Sequence, residues 1–260
     1  METTVSTLAI VCMGIAAIAA MIIPLGLYLY FRKKMHADRL PFWTGCAVFL
    51  VFAMGLEQAA YLLVAKLDCW LFIQSDIWLY GMVGGLFAGV FEETGRYVAF
   101  QTVLRKKRGK DVNALMYGAG HGGIEAFLLV GVTMVGNMIY AIMLNAGALD
   151  STTGASISAA LSGVAPGMFL VSIVERVGAV ALHLSLSVLV WFAAKNKRAF
   201  WLFPAAILLH ALVDAVAVIL ASYVENVWLI EGVIYLMSTG CVLLAVAVWK
   251  RQHRTDAIPA

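Results

Sequence analysis

The chain has 260 residues, of which 63% are hydrophobic and only 13% charged. A soluble globule averages roughly 45–50% apolar and about 25% charged residues, so this composition excludes one. The net charge of +3 points to no nucleic-acid partner, because the placement of the cations matters more than their sum.

Apolar stretches long enough to cross a bilayer recur along the whole length. The pattern predicts an all-α polytopic membrane protein of about seven transmembrane helices, over 6–31, 41–65, 77–104, 114–144, 167–194, 200–222 and 227–249. Lipid offers no other partner for backbone groups, so every span should be a helix. No low-complexity linker or repeat divides the chain, which reads as one integral-membrane domain over 1–260.

Span one has no basic residue before it and Arg32, Lys33 and Lys34 after it, as in a retained helix rather than a cleaved signal. Span two carries Glu57 beside Gln58, read as interhelical hydrogen bonding. Span three carries Gly81, Gly85 and Gly89, a small-residue ridge for close helix packing whose next member is Glu93. Span four exceeds what a bilayer needs. This predicts a tilt, an extension outside, or a break near Gly118, Gly120, Gly122 and Gly123. Residues 146–166, rich in Ser, Thr, Gly and Ala, read as an outer connection that either gates access or simply joins two spans. Span five carries Glu175, Arg176 and His183, and span six carries His210 and Asp214.

Fifteen of the 18 basic residues fall after spans one, three, five and seven. They are Arg32, Lys33, Lys34 and Arg39; Arg105, Lys106, Lys107, Arg108 and Lys110; Lys195, Lys197 and Arg198; and Lys250, Arg251 and Arg254. Only Lys66 lies opposite. The positive-inside rule then places the N-terminus outside and the C-terminus in the cytoplasm of a multi-pass cell-membrane protein. Among the four cysteines no CxxC occurs, so neither a thiolate metal site nor a disulfide framework is indicated.

The ionisable residues inside the spans carry the chemistry. A charge at a helix centre costs about 2.5–3.5 kcal/mol, and several facing lipid would exceed a net stability of roughly 5–15 kcal/mol. They must face one another or a wet cavity, either as interhelical glue or as a functional site. Glu92, Glu93, His121, Glu125, His183, His210 and Asp214 lie about seven to fourteen residues from the basic end, and at ~1.5 Å per residue they share one layer. Glu92–Arg96, His121–Glu125 and His210–Asp214 are i,i+4 pairs, each on one helix face. Glu175 and Arg176 lie nearer the outer side and read mainly as structural, with His183 a cavity candidate.

Peptide hydrolysis needs a base for water, a donor for the oxyanion and an acid for the leaving amine. An arginine keeps a neighbouring carboxylate ionised, so the Glu92–Glu93–Arg96 group can supply the base. His121 and His210 can hold the water and face the oxyanion, and Asp214 can orient a ring or bind substrate.

The stretches "EETGR", "HGGIE" and "HALVD" together resemble the motif set of glutamic-type intramembrane proteases. Within that group the resemblance is to the YhfC type, with PrsW-type proteases and type II CAAX prenyl endopeptidases as wider relatives. The matching core runs from about 77 to 222. Glu92, Glu93 and Arg96 match the first motif and His210 with Asp214 the last. Glu125 matches the glutamate that ends the PrsW middle motif, and His121 stands where the prenyl proteases carry a histidine. In the prenyl proteases the arginine lies one residue further from the glutamates than Arg96 does. The resemblance implies an intramembrane endopeptidase without cofactor, acting on membrane proteins or peptides in the bilayer, with Glu92 activating water. A zinc protease using His121, His210 and a glutamate is an alternative, although no HExxH occurs. So is a proton-coupled transporter with a midplane cavity.

Overall fold

The computed structural model describes residues 4–255, and among them every regular element is helical. We number the helices α1 (Thr7–Lys33), α2 (Leu40–Val64), α3 (Cys69–Ser75), α4 (Ile77–Gln101), α5 (Val112–Asn145), α6 (Ser151–Leu161), α7 (Met168–Lys195), α8 (Leu202–Tyr223) and α9 (Val227–Thr255). Six helices are long and apolar enough to cross a membrane, and a seventh span is completed if α3 and α4, bent by 109°, count as one. The protein is a polytopic helical membrane protein, as its apolar runs predict.

Local chemistry explains several boundaries. Asp76 sits in extended backbone between α3 and α4, and its side chain accepts from Trp78 N at 2.8 Å and Leu79 N at 3.2 Å. That caps α4 and releases α3 into its own direction. Asp150 does the same for α6, accepting from Thr152 N and Thr153 N at 3.0 Å. The stretch 146–166, read from sequence as an outer connection that either gates access or joins two spans, therefore contains an eleven-residue helix. Its small side chains hid the signal, because they give no apolar stripe. Span four is not broken at its glycines. Val112–Ala126 runs as unbroken α-helix, and the irregularity is a wide π-turn over Phe127–Val132. A second π segment covers Phe49–Glu57 inside α2.

The chain forms two compact units. One takes the residues up to Gly26 and Gly123–Val177; the other takes Leu27–Gly122 and the chain from Gly178 on. The first unit has a core of Val5, Ala9, Met13, Ala141, Leu161 and Phe169. Asn145 ties its ends, accepting from Val5 N at 2.8 Å and donating to Val5 O at 2.7 Å. The second unit is built on Phe100, Tyr117, Leu186, Trp191 and Leu202, all fully or almost fully buried. Phe100 meets the rings of Tyr117 and Trp191 edge-on at 4.7 and 4.9 Å.

Within the second unit α4 and α8 pack closely against each other. The glycine ridge makes this possible. A Cβ added at Gly89 would lie 2.5 Å from Ile207 O, and one at Gly81 would lie 2.9 Å from Ile219 Cγ1. Only hydrogen fits, so the two backbones touch. Gly118 and Gly122 do likewise for α5 against α7: their added Cβ atoms would stand 2.8 Å from Leu184 Cα and 3.1 Å from His183 Cβ.

Candidate active site

These close contacts set residues of four helices, all lying within the second unit, around one buried polar cluster. Helix α4 supplies Glu92, Glu93 and Arg96, α5 supplies His121, α7 supplies His183, and α8 supplies His210. All six are buried, Glu93, Arg96 and His121 completely.

The two adjacent glutamates have different partners. Arg96 Nη1 donates to both carboxylate oxygens of Glu93 at 2.6 Å, across an i,i+3 turn. His210 Nδ1–H donates to the same carboxylate at 2.9 Å. Glu93 is thus held between a guanidinium and an imidazole. Glu92 Oε2 instead accepts from His121 Nε2 at 2.7 Å, and His183 Nδ1 lies 4.0 Å away.

The three imidazoles are stacked into a short row. The ring centroids of His121 and His183 are 4.9 Å apart, and those of His183 and His210 are 5.3 Å apart. Arg96 Nη2 reaches His183 Nδ1 at 3.1 Å. A guanidinium only donates, so Nδ1 accepts and the neutral ring carries its proton on Nε2. Asp214 Oδ2 lies 3.5 Å from His210 Nε2, and Asp214 is the most exposed member of the group. Phe49 packs edge-on against His121 at 5.4 Å, and Tyr117 lies beside both His121 and Arg96.

The structure therefore brings together Glu92, Glu93, Arg96, His121, His183, His210 and Asp214. Glu125 is engaged elsewhere: in the first unit Arg176 donates to it at 2.5 Å and to Glu175 at 2.5 Å. That makes Arg176 the structural clamp its position suggested. Glu57 comes closer to the chemistry than its sequence context implied. It is buried at the end of the π segment, within electrostatic reach of Glu92, His210 and Asp214. It is the last residue of a wide turn that no periodicity in the sequence announces.

A metal can be tested against this donor set. Glu92, His183 and His210 each offer one ligand atom, all within 4.8 Å of one another. Two imidazoles and a carboxylate fit a catalytic divalent ion in kind and number. Glu93 on His210 Nδ1 also matches the carboxylate that commonly orients a ligating imidazole. For His183 to ligate, it must exchange its Arg96 hydrogen bond for the ion.

Residues 19–234 match the family described as YhfC intramembrane metalloprotease. The uncharacterized membrane protein YhfC of Bacillus subtilis (strain 168) is 32% identical over 225 residues, which span 83% of this chain and 86% of that protein. No solved structure matches.

Proposed function

The chain belongs to the YhfC intramembrane metalloprotease family, and from that premise we propose that it hydrolyses peptide bonds of membrane-associated substrates, with Glu92 activating the water. One observation carries the assignment. Of two adjacent buried glutamates, Glu93 is ion-paired with Arg96 at 2.6 Å, while Glu92 accepts from His121 Nε2 at 2.7 Å and lies 4.0 Å from His183 Nδ1. A carboxylate set beside imidazoles suits the part of a base better than one locked to a guanidinium.

In this reading His121 orients Glu92 through its Nε2–H. A water between Glu92 and the scissile carbonyl gives its proton to Glu92, and its oxygen adds to the carbonyl carbon. His183, whose Nδ1 is occupied by Arg96, presents Nε2–H to the oxyanion. Collapse of the tetrahedral intermediate breaks the C–N bond, and Glu92 returns the proton to the leaving amine. Glu93 and Arg96 are positioning residues: one fixes His210, the other His183. Glu125 has no part in the reaction.

A metal-dependent variant is the second reading, favoured by the Glu92–His183–His210 set. A bound divalent ion would polarise the carbonyl and acidify the water. The metal-free form is preferred because His183 Nδ1 accepts from Arg96 Nη2 at 3.1 Å, a bond that ligation by this ring would break.

The test is reconstitution of the full chain into proteoliposomes with a library of membrane-spanning peptides, read by mass spectrometry of the products. General-base action is worth about 10²–10⁴-fold, so Glu92→Gln should lose that much rate while still folding. Cleavage by Glu92→Gln at the wild-type rate would sink the assignment. Proton-coupled uptake without any cleavage would favour a transporter.

A further inference from the structure

Away from the proposed active site, the second unit holds a cavity of about 460 Å³ whose wall is basic and aromatic. It is lined by Tyr97, Gln101, Arg108, Lys195, Lys197 and Phe200. It opens at the end of the bundle where α4 and α7 finish and α8 begins, the end that carries most of the cations.

Three cations border it. Arg108 Nη1 is spent on Gln101 Oε1 at 3.2 Å and on the Ala194 carbonyl, which also accepts from Gln101 Nε2 at 3.2 Å. These bonds hold the guanidinium in place and satisfy a carbonyl in the last turn of α7. The second guanidinium amine, Nη2, has no protein partner among the described residues, and neither has the Lys197 ammonium. Lys195 is paired with Asp111 at 2.5 Å. Asp111 is itself shared with Trp191 Nε1 at 2.8 Å and His253 Nε2 at 3.4 Å. One heavily engaged carboxylate therefore stands against three cations.

Beside the cavity, Phe200 and Trp201 are 48% and 55% exposed. Exposed aromatic rings next to cations mark the level of lipid headgroups. A fixed guanidinium, two ammonium groups and a phenol hydroxyl are the donors that a phosphate takes.

We propose that this cavity binds the phosphate of an anionic phospholipid headgroup, with Arg108, Lys195 and Lys197 as its ligands. Its rim continues into α4: Tyr97 lines the cavity and adjoins Arg96 in sequence, so an occupied headgroup site braces the helix that carries Glu92.

The full chain in mild detergent is titrated with phosphatidylglycerol or phosphatidylcholine and read by native mass spectrometry. One phosphatidylglycerol should bind saturably and phosphatidylcholine should not. Reversing one charge by Lys197→Glu removes an attractive contribution and adds a repulsive one of similar size, so it should weaken binding about thirtyfold. Lys197→Arg should restore it. Lys106→Glu, an exposed reversal in the neighbouring loop, should change it less than about threefold. Non-saturable binding, or equal losses for Lys197→Glu and Lys106→Glu, would reduce the cavity to diffuse surface charge and overturn the proposal. Glycerol phosphate and inorganic phosphate form the second arm. Displacement of the lipid by either at matching concentration would overturn the lipid as the source and leave a soluble phosphate site.

Discussion

Removing Arg96 is the sharpest test of how the cluster is held together. Its guanidinium is completely buried and lies 2.6 Å from both oxygens of a completely buried Glu93. In Arg96→Ala that carboxylate keeps His210 but loses its cation, and His183 Nδ1 loses its donor. Breaking a buried pair by taking one partner costs about 3–5 kcal/mol. At about 2–4 °C per kcal/mol for a chain of this size, melting in detergent should fall by about 6–20 °C. Glu93→Leu strands the cation instead and should cost a similar amount. The double variant Glu93→Leu/Arg96→Met leaves only two imidazole nitrogens short of a partner, at about 1–3 kcal/mol each. It should therefore melt well above the sum of the two single losses, with a coupling of about 3 kcal/mol. The assay is loss of helical circular dichroism on heating, with ligand-free protein at fixed detergent. If Arg96→Ala melts with wild type, or if the single losses simply add, Glu93 and Arg96 are not an isolated buried pair and the division of roles between the two glutamates fails.

Gly89→Ala puts a Cβ 2.5 Å from Ile207 O; overpacking of this kind costs about 1–3 kcal/mol. It should also cut turnover, because α8 must retreat with His210; Gly136→Ala, which meets nothing within 4 Å, should do neither. Protein purified without chelator should contain well under one zinc per chain by elemental analysis, and activity should survive chelation. Stoichiometric zinc that is lost in His183→Ala would install the metal-dependent reading. At the loop after α1, burial pushes the Asp38 carboxyl up, but the hydrogen bond from Asn113 and the charges of Lys107 and Lys110 outweigh it and hold it below its usual 3.8. A depressed carboxylate stabilises above its unfolded value, so the melting difference between wild type and Asp38→Asn should hold at neutral pH and close as pH falls below about 4. A difference that grows on acidification would contradict this.

The spans were legible because hydropathy alone decides them, and α1, α2, α5, α7, α8 and α9 begin and end close to the predicted limits. What escaped was whatever depends on packing. The π segments at Phe49–Glu57 and Phe127–Val132 leave no trace in residue type. The glycines of α5 left close helix approach and a local break both open, and at Gly118 and Gly122 they serve close approach, as the surfaces on which Leu184 and His183 rest. Of the i,i+4 pairs, His210 with Asp214 persists at 3.5 Å. His121 turns to Glu92, and Glu125 goes to Arg176. His183 was recognisable by its depth and by the helix face it shares with Arg176 at i,i+7. Its place in the row of imidazoles comes from α7 packing against Gly118 and Gly122.

Why two glutamates, side by side, in a helix where either alone is expensive? Successive residues of a helix project about 100° apart and do not face each other. Glu93 therefore continues the glycine ridge toward α8, where the missing side chains of Gly85 and Gly89 bring the His210 backbone near. One turn on, Arg96 returns to the same carboxylate and reaches past it to His183. Glu92, rotated off the ridge, meets His121 on α5 instead. The pair thus separates two tasks that one carboxylate could not perform together. Glu93 has its charge permanently matched and fixes the positions of His210 and, through Arg96, of His183. Because that matching is local to Glu93, Glu92 meets rings already in place, which supports its proposed role as the base that activates water.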